Sequence, residues 1–325
     1  MSTREMPRLL VVIVNYRTGP LVVDCLASLE AEVAATPARV VVVDNASGDG
    51  SGEAITSAIR DRGWDAWASV QLEDANGGFA AGNNAAIRPA LASAEPPDFV
   101  WLLNPDTVVR PGALASLLAF LREHPGAGLA GSRLEDPDGT PQRSAFRYPS
   151  VLSELEHGMR LGLVTRLLKH RLVAPPVSDE TRSVGWVAGA SLLIRREVFD
   201  AIGLLDDRYF MYFEEVDFCN RARKSGWPCW YVPGSRVVHL VGMSSGVTNE
   251  RGPRKRRPAY WFEARRRYFL SHLGRAGTLM ADLAWSLGYA SFILRSSMYT
   301  RPNNDPPHLF SDFLRHNFLP APPKR

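Results

Sequence analysis

Three continuous apolar runs constrain this chain more than any other feature. Leu9–Val14, Arg39–Val43 and Phe99–Leu103 are rich in Val, Ile and Leu, and each gives way at its carboxyl end to a polar side chain: Asn15, Asp44, and Asn104-Pro105-Asp106. Runs without polar alternation are expected of strands covered on both faces, which is the situation of a parallel sheet. Helical patterns separate them. Val22, Cys25, Leu26 and Leu29 follow the first run, and Ile55, Ala58 and Ile59 follow the second. A third strand is predicted near Ser69–Leu72, with a small-residue helix from about Asn83 to Ala92. Repeated strand–helix units imply right-handed crossovers and an α/β fold. In such sheets ligands bind beyond the carboxyl ends of the strands, where Asn15, Asp44 and Asp106 stand.

The middle of the chain is less regular. Asp136-Pro137-Asp138-Gly139 spells a tight turn, and Val151–Leu172 reads as an amphipathic helical insert. Val184–Ile194 reads as one strand carrying Gly185 and Gly189, residues that permit close backbone approach. Glu214, Glu215 and Asp217 open a helix that stops at Gly226. Late strands cover Trp230–Val232 and Arg236–Leu240, the second delivering His239. From Pro258 the pattern turns helical, with an Arg-rich helix to about Leu273 and a more apolar one from about Thr278 to Met298. His308–Phe318 carries an apolar stripe whose plainest reading is a latch on its own domain; a membrane-surface or dimer contact is the alternative.

Composition removes several classes. With 325 residues, 45% of them hydrophobic, the chain can bury a core without staples. Its three cysteines, Cys25, Cys219 and Cys229, lack C-x-x-C spacing, so neither a zinc site nor a disulfide framework is indicated. A reduced, cytoplasmic setting is the simplest expectation. The first residues lack signal-peptide grammar. The most apolar stretch, Leu283–Leu294, is too short to span a bilayer. Gly48–Gly52 and Asn76–Asn84 match neither the dinucleotide nor the Walker A loop, which weakens redox and P-loop readings. The net charge of +4 is concentrated late, at Arg251–Arg257 and Arg265–Arg267, and calls for an anionic partner or a solvated face. No pattern points to nucleic acid.

The candidate chemistry follows from residue types. A carboxylate at a strand end, Asp106, suits a hard cation that holds a diphosphate. The glycine-rich segment Asn76-Gly77-Gly78 opens a helix whose N–H groups favour phosphate. Three acids among aromatics at 214–217 cannot all be cheaply ionised, and one with a raised pKa can serve as a general base. His239, after an apolar strand and before a Gly/Ser-rich loop, is a candidate metal ligand.

In this order the pieces resemble the family 2 glycosyltransferases of GT-A fold, especially the rhamnosyltransferase-like branch. The matching segments are Ile13-Val14-Asn15-Tyr16, Val43–Ser47, Asn76–Phe79 with Asn83, Asn104-Pro105-Asp106, Gly185–Ala190, Asp206–Cys219 and His239. The resemblance implies a GT-A catalytic domain over residues 1–246 and a basic linker, helices and Pro-rich tail over 247–325. It implies that Asn15 and Asp44 hold the nucleoside and that Asn76, Gly77 and Asn83 flank the diphosphate. Asp106 and His239 would bind Mg²⁺ or Mn²⁺, with Asn104 standing where the family usually has an acid. Trp186 and Gly189 would shape the sugar and acceptor site. Glu215 would be the base, with Glu214 and Asp217 beside it; the family usually has a Glu-Asp pair where this chain has Glu214-Glu215.

The implied reaction is inverting transfer of a sugar from a dTDP- or UDP-linked donor, with dTDP-rhamnose favoured. The acceptor would be a hydroxyl of a glycan or of a polyprenyl-diphosphate-linked sugar in cell-surface polysaccharide assembly, at the inner face of the cytoplasmic membrane. The basic stretch and the C-terminal helices suit peripheral contact there. The competing readings are a sugar-1-phosphate nucleotidyltransferase and a non-catalytic carbohydrate- or nucleotide-binding module.

Overall fold

The computed structural model of the chain describes residues 8–240, 255–298 and 305–319. In chain order the elements begin with β1 (Leu9–Asn15), α1 (Gly19–Ala35), β2 (Arg39–Asp44), α2 (Ser51–Asp61), β3 (Ala68–Leu72), α3 (Gly78–Leu91), β4 (Phe99–Leu103), β5 (Thr107–Val109), α4 (Ala113–Glu123), β6 (Leu129–Glu135) and β7 (Ala145–Phe146). They continue with α5 (Val151–Met159), α6 (Gly162–Leu167), β8 (Arg182–Val184), β9 (Trp186–Val187), β10 (Ser191–Arg195), α7 (Arg196–Ile202), α8 (Glu214–Lys224), β11 (Cys229–His239), α9 (Ala259–Met298) and α10 (Leu309–Phe318).

These elements form two compact units. The first comprises residues 8–146, 176–210 and 214–240, and contains the whole sheet. Its strand order is β3-β2-β1-β4-β10-β6-β11-β5, with β8 alongside β11. β1 pairs in parallel with β2 and β4, and β2 with β3. Val11, Val12 and Ile13 are fully buried, as are Val40, Val42 and Val43, so helices cover both faces as the apolar runs predict. Beyond β4 the sheet becomes mixed: β10 runs antiparallel to both β4 and β6, while β11 runs parallel to β6. The Asn83 start predicted for α3 is five residues late, because Gly78 at φ 86° already turns the chain into the helix.

The segment expected as one strand over Val184–Ile194 is three short ones. β8 joins β11, β9 makes a separate two-stranded pair with β7, and only β10 enters the sheet between β4 and β6. The two late strands are instead a single β11, whose register against β6 shifts between Val232 and Arg236. Pro233 and Gly234 lie at that shift, where neither an N–H nor a side chain sustains the ladder. Cys25, Cys219 and Cys229 are buried and free.

The second unit comprises residues 147–175, 211–213, 255–298 and 305–319. Residues 147–175 therefore pack with the C-terminal helices, where the sequence alone draws one boundary near residue 246. Two glycines make this packing close. A Cβ on Gly158 of α5 would lie 2.5 Å from the Trp285 carbonyl oxygen, and one on Gly288 of α9 would lie 2.8 Å from the Met159 nitrogen. α9 breaks at Gly274 (φ 68°, ψ −177°), which separates the two helices expected there. α10 closes the unit as a latch: Phe313 stacks on Trp285 with centroids 3.9 Å apart, and Leu309 joins the same cluster.

One member of the Arg-rich stretch is committed to this unit's interior, while Lys255 and Arg256 stay exposed. Arg265 is 2% exposed and bridges Glu154 (2.7 Å) and Asp282 (2.6 Å), between the rings of Phe269 and Phe313. Arg256 pairs with Asp312 at 2.6 Å, and the Arg257 guanidinium lies over Trp261. The rest of the 251–257 cluster, residues 251–254, lies outside the described residues.

Removing one member of a buried ion network leaves the others charged and unpaired. Arg265→Met is expected to cost about 3–5 kcal/mol in urea unfolding near neutral pH. The deficit should shrink in acid, where Glu154 and Asp282 can take protons.

Candidate active site

The parallel register places the polar strand ends side by side, with Asn15 aligned to Asp44. The Asn15 amide nitrogen donates to Asp44 Oδ2 (2.6 Å), Ser51 Oγ (2.9 Å) and Ser47 Oγ (3.2 Å). Its Oδ1 accepts from the backbone N–H and the hydroxyl of Thr18. Asp44 Oδ1 accepts the Ser47 N–H at 2.9 Å. Asn15 and Asp44 thus spend their polar atoms on each other and on the serine loop, and both are buried. Tyr16 and Arg17 occupy the rim. Tyr16 is exposed, Arg17 adopts φ 59°, its guanidinium lies over the Tyr16 ring, and its Nε donates to the Ser47 carbonyl.

Asn45 ties this cluster to the glycine-rich segment. Its amide donates to Asn76 Oδ1 (2.9 Å) and to the Gly78 carbonyl (3.0 Å), while Asn76 Oδ1 also accepts the Gly78 N–H. Gly78 is obligatory here, because a Cβ would sit 1.8 Å from the Phe210 carbonyl oxygen. That same oxygen accepts the Phe79 N–H at 2.9 Å. Asn83 is buried and turns its amide back onto the Phe79 carbonyl, inside α3. Gly77 stands at the head of α3, at its N-cap position.

Asp106 and His239 are 133 residues apart along the chain, yet in space they are neighbours. β5 and β11 pair antiparallel with Thr107 opposite His239, which brings His239 Nε2 to 3.5 Å from Asp106 Oδ1. The Leu240 N–H donates to the Asp106 carbonyl, and Gln142 Nε2 donates to the His239 carbonyl, so the backbone of both is fixed. One carboxylate oxygen and one imidazole nitrogen at this spacing can share a divalent cation. Among the described residues no group of three or more His, Cys, Asp or Glu side chains is arranged to hold a metal. Asp106 and His239 are thus two of the donors that a divalent cation would need. Asn104 closes the turn below Asp106, its carbonyl accepting the Thr107 hydroxyl at 2.7 Å.

The acidic segment is built under strain. Tyr212 (φ 74°) and Phe213 (φ 69°) both lie in the left-handed region, which bulky side chains seldom adopt. α8 follows immediately, and its first turn holds Glu214, Glu215 and Asp217. Asp217 is buried and engaged by Arg221 Nε at 2.7 Å; Arg221 also donates to the Ile202 and Leu204 carbonyls. Glu214 and Glu215 are different. In each, Oε2 is buried with no hydrogen-bond partner among the described residues. Burial raises the Glu214 carboxyl well above the usual carboxylate range, and the neighbouring Glu215 charge adds to the rise. Burial also pushes Glu215 up, to about 7, against the opposing pull of backbone N–H groups. Glu214 is 5% exposed, whereas Glu215 keeps part of its surface open.

Gly189 borders Glu215. A Cβ there would lie 3.4 Å from the Phe79 ring and 3.7 Å from Glu215 Cβ, so its absence leaves space at the root of the Glu215 side chain. Trp186 stacks on Phe146 at 4.1 Å between centroids, which fixes the indole through the β7–β9 pair. The Asn104 N–H donates to the Ala190 carbonyl, so the Gly189 loop is also joined to the turn that carries Asp106.

A nine-stranded α/β sheet of this topology, flanked by helices, is the fold of the GT-A glycosyltransferases. The description "Glycosyltransferase like family 2" matches residues 7–267, and the chain belongs to that family, in its rhamnosyltransferase-like branch. It is 33% identical over 307 residues to an N-acetylglucosaminyl-diphospho-decaprenol L-rhamnosyltransferase of Mycobacterium tuberculosis, covering 90% of this chain and 92% of that one. It is 27% identical over 167 residues to the rhamnosyltransferase WbbL of Escherichia coli, covering 50% of this chain and 61% of the other. The mannosyltransferase PcManGT of Pyrobaculum calidifontis, solved with GDP-Man and Mn²⁺, shares the fold: TM-score 0.58 and 17% identity, over 91% of this chain and 76% of that one.

Both raised carboxyls have folded pKa values above their unfolded ones. Their contribution to stability is therefore full below the unfolded value and is lost as pH rises through the folded value. Glu214→Gln is expected to raise the melting temperature by a few degrees at about pH 8 and to leave it nearly unchanged at about pH 4. Calorimetric scans at the two pH values check this.

Proposed function

We propose that the protein is an inverting, metal-dependent glycosyltransferase that moves a sugar, rhamnose from dTDP-rhamnose, onto a hydroxyl of a polyprenyl-diphosphate-linked acceptor. The observation that carries the reading is Glu215: a partly exposed residue with one buried, unpartnered carboxyl oxygen and a pKa of about 7, next to Gly189. A general base works best when its pKa lies near the working pH.

In this reading Glu215 accepts the proton of the acceptor hydroxyl while that oxygen bonds to the anomeric carbon. The bond from the anomeric carbon to the diphosphate oxygen breaks on the opposite face, and the nucleoside diphosphate leaves. One displacement inverts the anomeric centre, with no covalent enzyme intermediate. Asp106 and His239 would hold Mg²⁺ or Mn²⁺, which supplies neutralisation of the diphosphate charge.

Asn15 and Asp44 act as the frame of the nucleoside pocket, with Arg17 and Tyr16 at its rim. Asn76, Gly77 and the head of α3 flank the diphosphate; Asn83 steadies that turn, and Asn104 supports Asp106. Trp186 and Gly189 bound the sugar and acceptor space. Glu214 sets the electrostatics behind the base, and Asp217 positions α8 through Arg221. The donor sugar and the lipid-linked acceptor are supported by the names of the rhamnosyltransferase relatives. Such an acceptor would place the work at the inner face of the cytoplasmic membrane.

The test is nucleoside diphosphate release across a panel of dTDP-, UDP- and GDP-sugars, with acceptor present and with Mg²⁺, Mn²⁺ or EDTA. Metal-dependent release from dTDP-rhamnose is expected, and pyrophosphate release instead would indicate a nucleotidyltransferase. Glu215→Gln should lower kcat by about 10²–10⁴-fold. Asp106→Ala should abolish the response to metal. Because the base must be ionised, kcat/KM should rise with pH and level off above about 7. A profile flat through that region would remove Glu215 from the role.

A further inference from the structure

A helix on the surface of a soluble protein turns its apolar side inward. The second half of α9 does the opposite. Its buried side includes Thr278, Asp282 and Ser286 beside Trp285 and Tyr289. Its outward side carries Leu279, Met280, Leu283, Leu287, Leu294 and Met298, and the last three are 69%, 65% and 71% exposed. The spacing keeps them on one face over about 28 Å at 1.5 Å per residue. Between Arg275 and Arg295 the one charged residue is Asp282, which faces inward against Arg265.

α6 extends this surface. The Arg295 guanidinium donates to the Met159 carbonyl, three residues before α6 begins, so α6 lies by the carboxyl end of the outward stripe. Leu163 and Leu167 of α6 are 65% and 72% exposed. Arg166, Lys169 and Arg171 are exposed with them, and residues 162–171 contain no acid.

We propose that the outward face of α9 after Gly274, together with α6, docks this protein in the plane of an anionic lipid bilayer. Contiguous apolar surface of this extent is rare on soluble monomers. No helix among the described residues is long and apolar enough to cross a membrane, so this helix lies along the surface. The basic rim is Arg275 at one end and Arg166, Lys169 and Arg171 at the other; residues 162–171 contain no acid, and Asp282, the one acid of α9 after Gly274, is turned inward against Arg265. Anionic headgroups complement such a rim while the leucines enter the acyl boundary. Two copies of the same face would bring cations together without acids to meet them. The purpose of docking rests on the lipid-linked acceptor proposed above, but the surface itself does not.

The experiment is co-sedimentation of the full chain with phosphatidylcholine vesicles, with and without about 30 mol% phosphatidylglycerol, in the absence of donor and acceptor. Binding is expected to the anionic vesicles, and to weaken with salt. Leu287→Glu/Leu294→Glu should reduce partitioning at least about tenfold, and Arg166→Glu/Lys169→Glu should remove the preference for anionic lipid. Thermal unfolding and nucleoside diphosphate binding of the variants show that they are folded. Wild-type protein that stays in the supernatant overturns the proposal. So does a pair of leucine variants that bind vesicles as well as wild type, or that only convert a dimer to a monomer. Donor turnover by all variants with a water-soluble acceptor would stay unchanged, which separates a failure here from a failure of the catalytic reading.

Discussion

The parallel register of β1 against β2 is the constraint on which the site depends. It sets Asn15 opposite Asp44, and the 2.6 Å bond between their side chains closes a polar cluster over the end of an otherwise apolar sheet. Strands buried on both faces have no polar side chain to offer along their length, so polar function is displaced to their carboxyl ends. Every later piece is referred to that edge. Asn45 carries it to the Asn76–Gly78 turn, and the Asn104–Ala190 bond carries it toward Gly189 and Glu215.

Two different electrostatic environments result. Asp106 sits beside the His239 imidazole. Glu214 and Glu215 sit where burial disfavours negative charge. Asp217 falls into a third class, since Arg221 holds it as part of the scaffold of α8.

The first half of the sheet was legible in the sequence because it is local: each strand is one apolar run, and each crossover is one helical pattern. The approach of His239 to Asp106 was legible through the resemblance, not through spacing. β10 was not, since its insertion between β4 and β6 is decided by long-range pairing that no short window contains. The placement of residues 147–175 with α9 was hidden for the same reason; Gly158 and Gly288 look like ordinary glycines until their helices meet. Within the Arg-rich stretch, Arg265 turns inward to Glu154 and Asp282, which the run of cations alone does not reveal. Charge in a sequence says nothing about which side of the helix it will occupy.

The contact between Gly78 and Phe210 couples two halves of the site mechanically. The backbone of the glycine-rich turn and that of the segment leading to α8 touch without an intervening side chain, and the Phe79–Phe210 hydrogen bond fastens them. Phe210 is five residues from Glu215. A turn that swung aside to admit or release a diphosphate would drag residue 210 along, and so tug on the tether of the glutamate. In the proposed reaction, leaving-group traffic and proton acceptance would be geared to one another through a single missing methyl group.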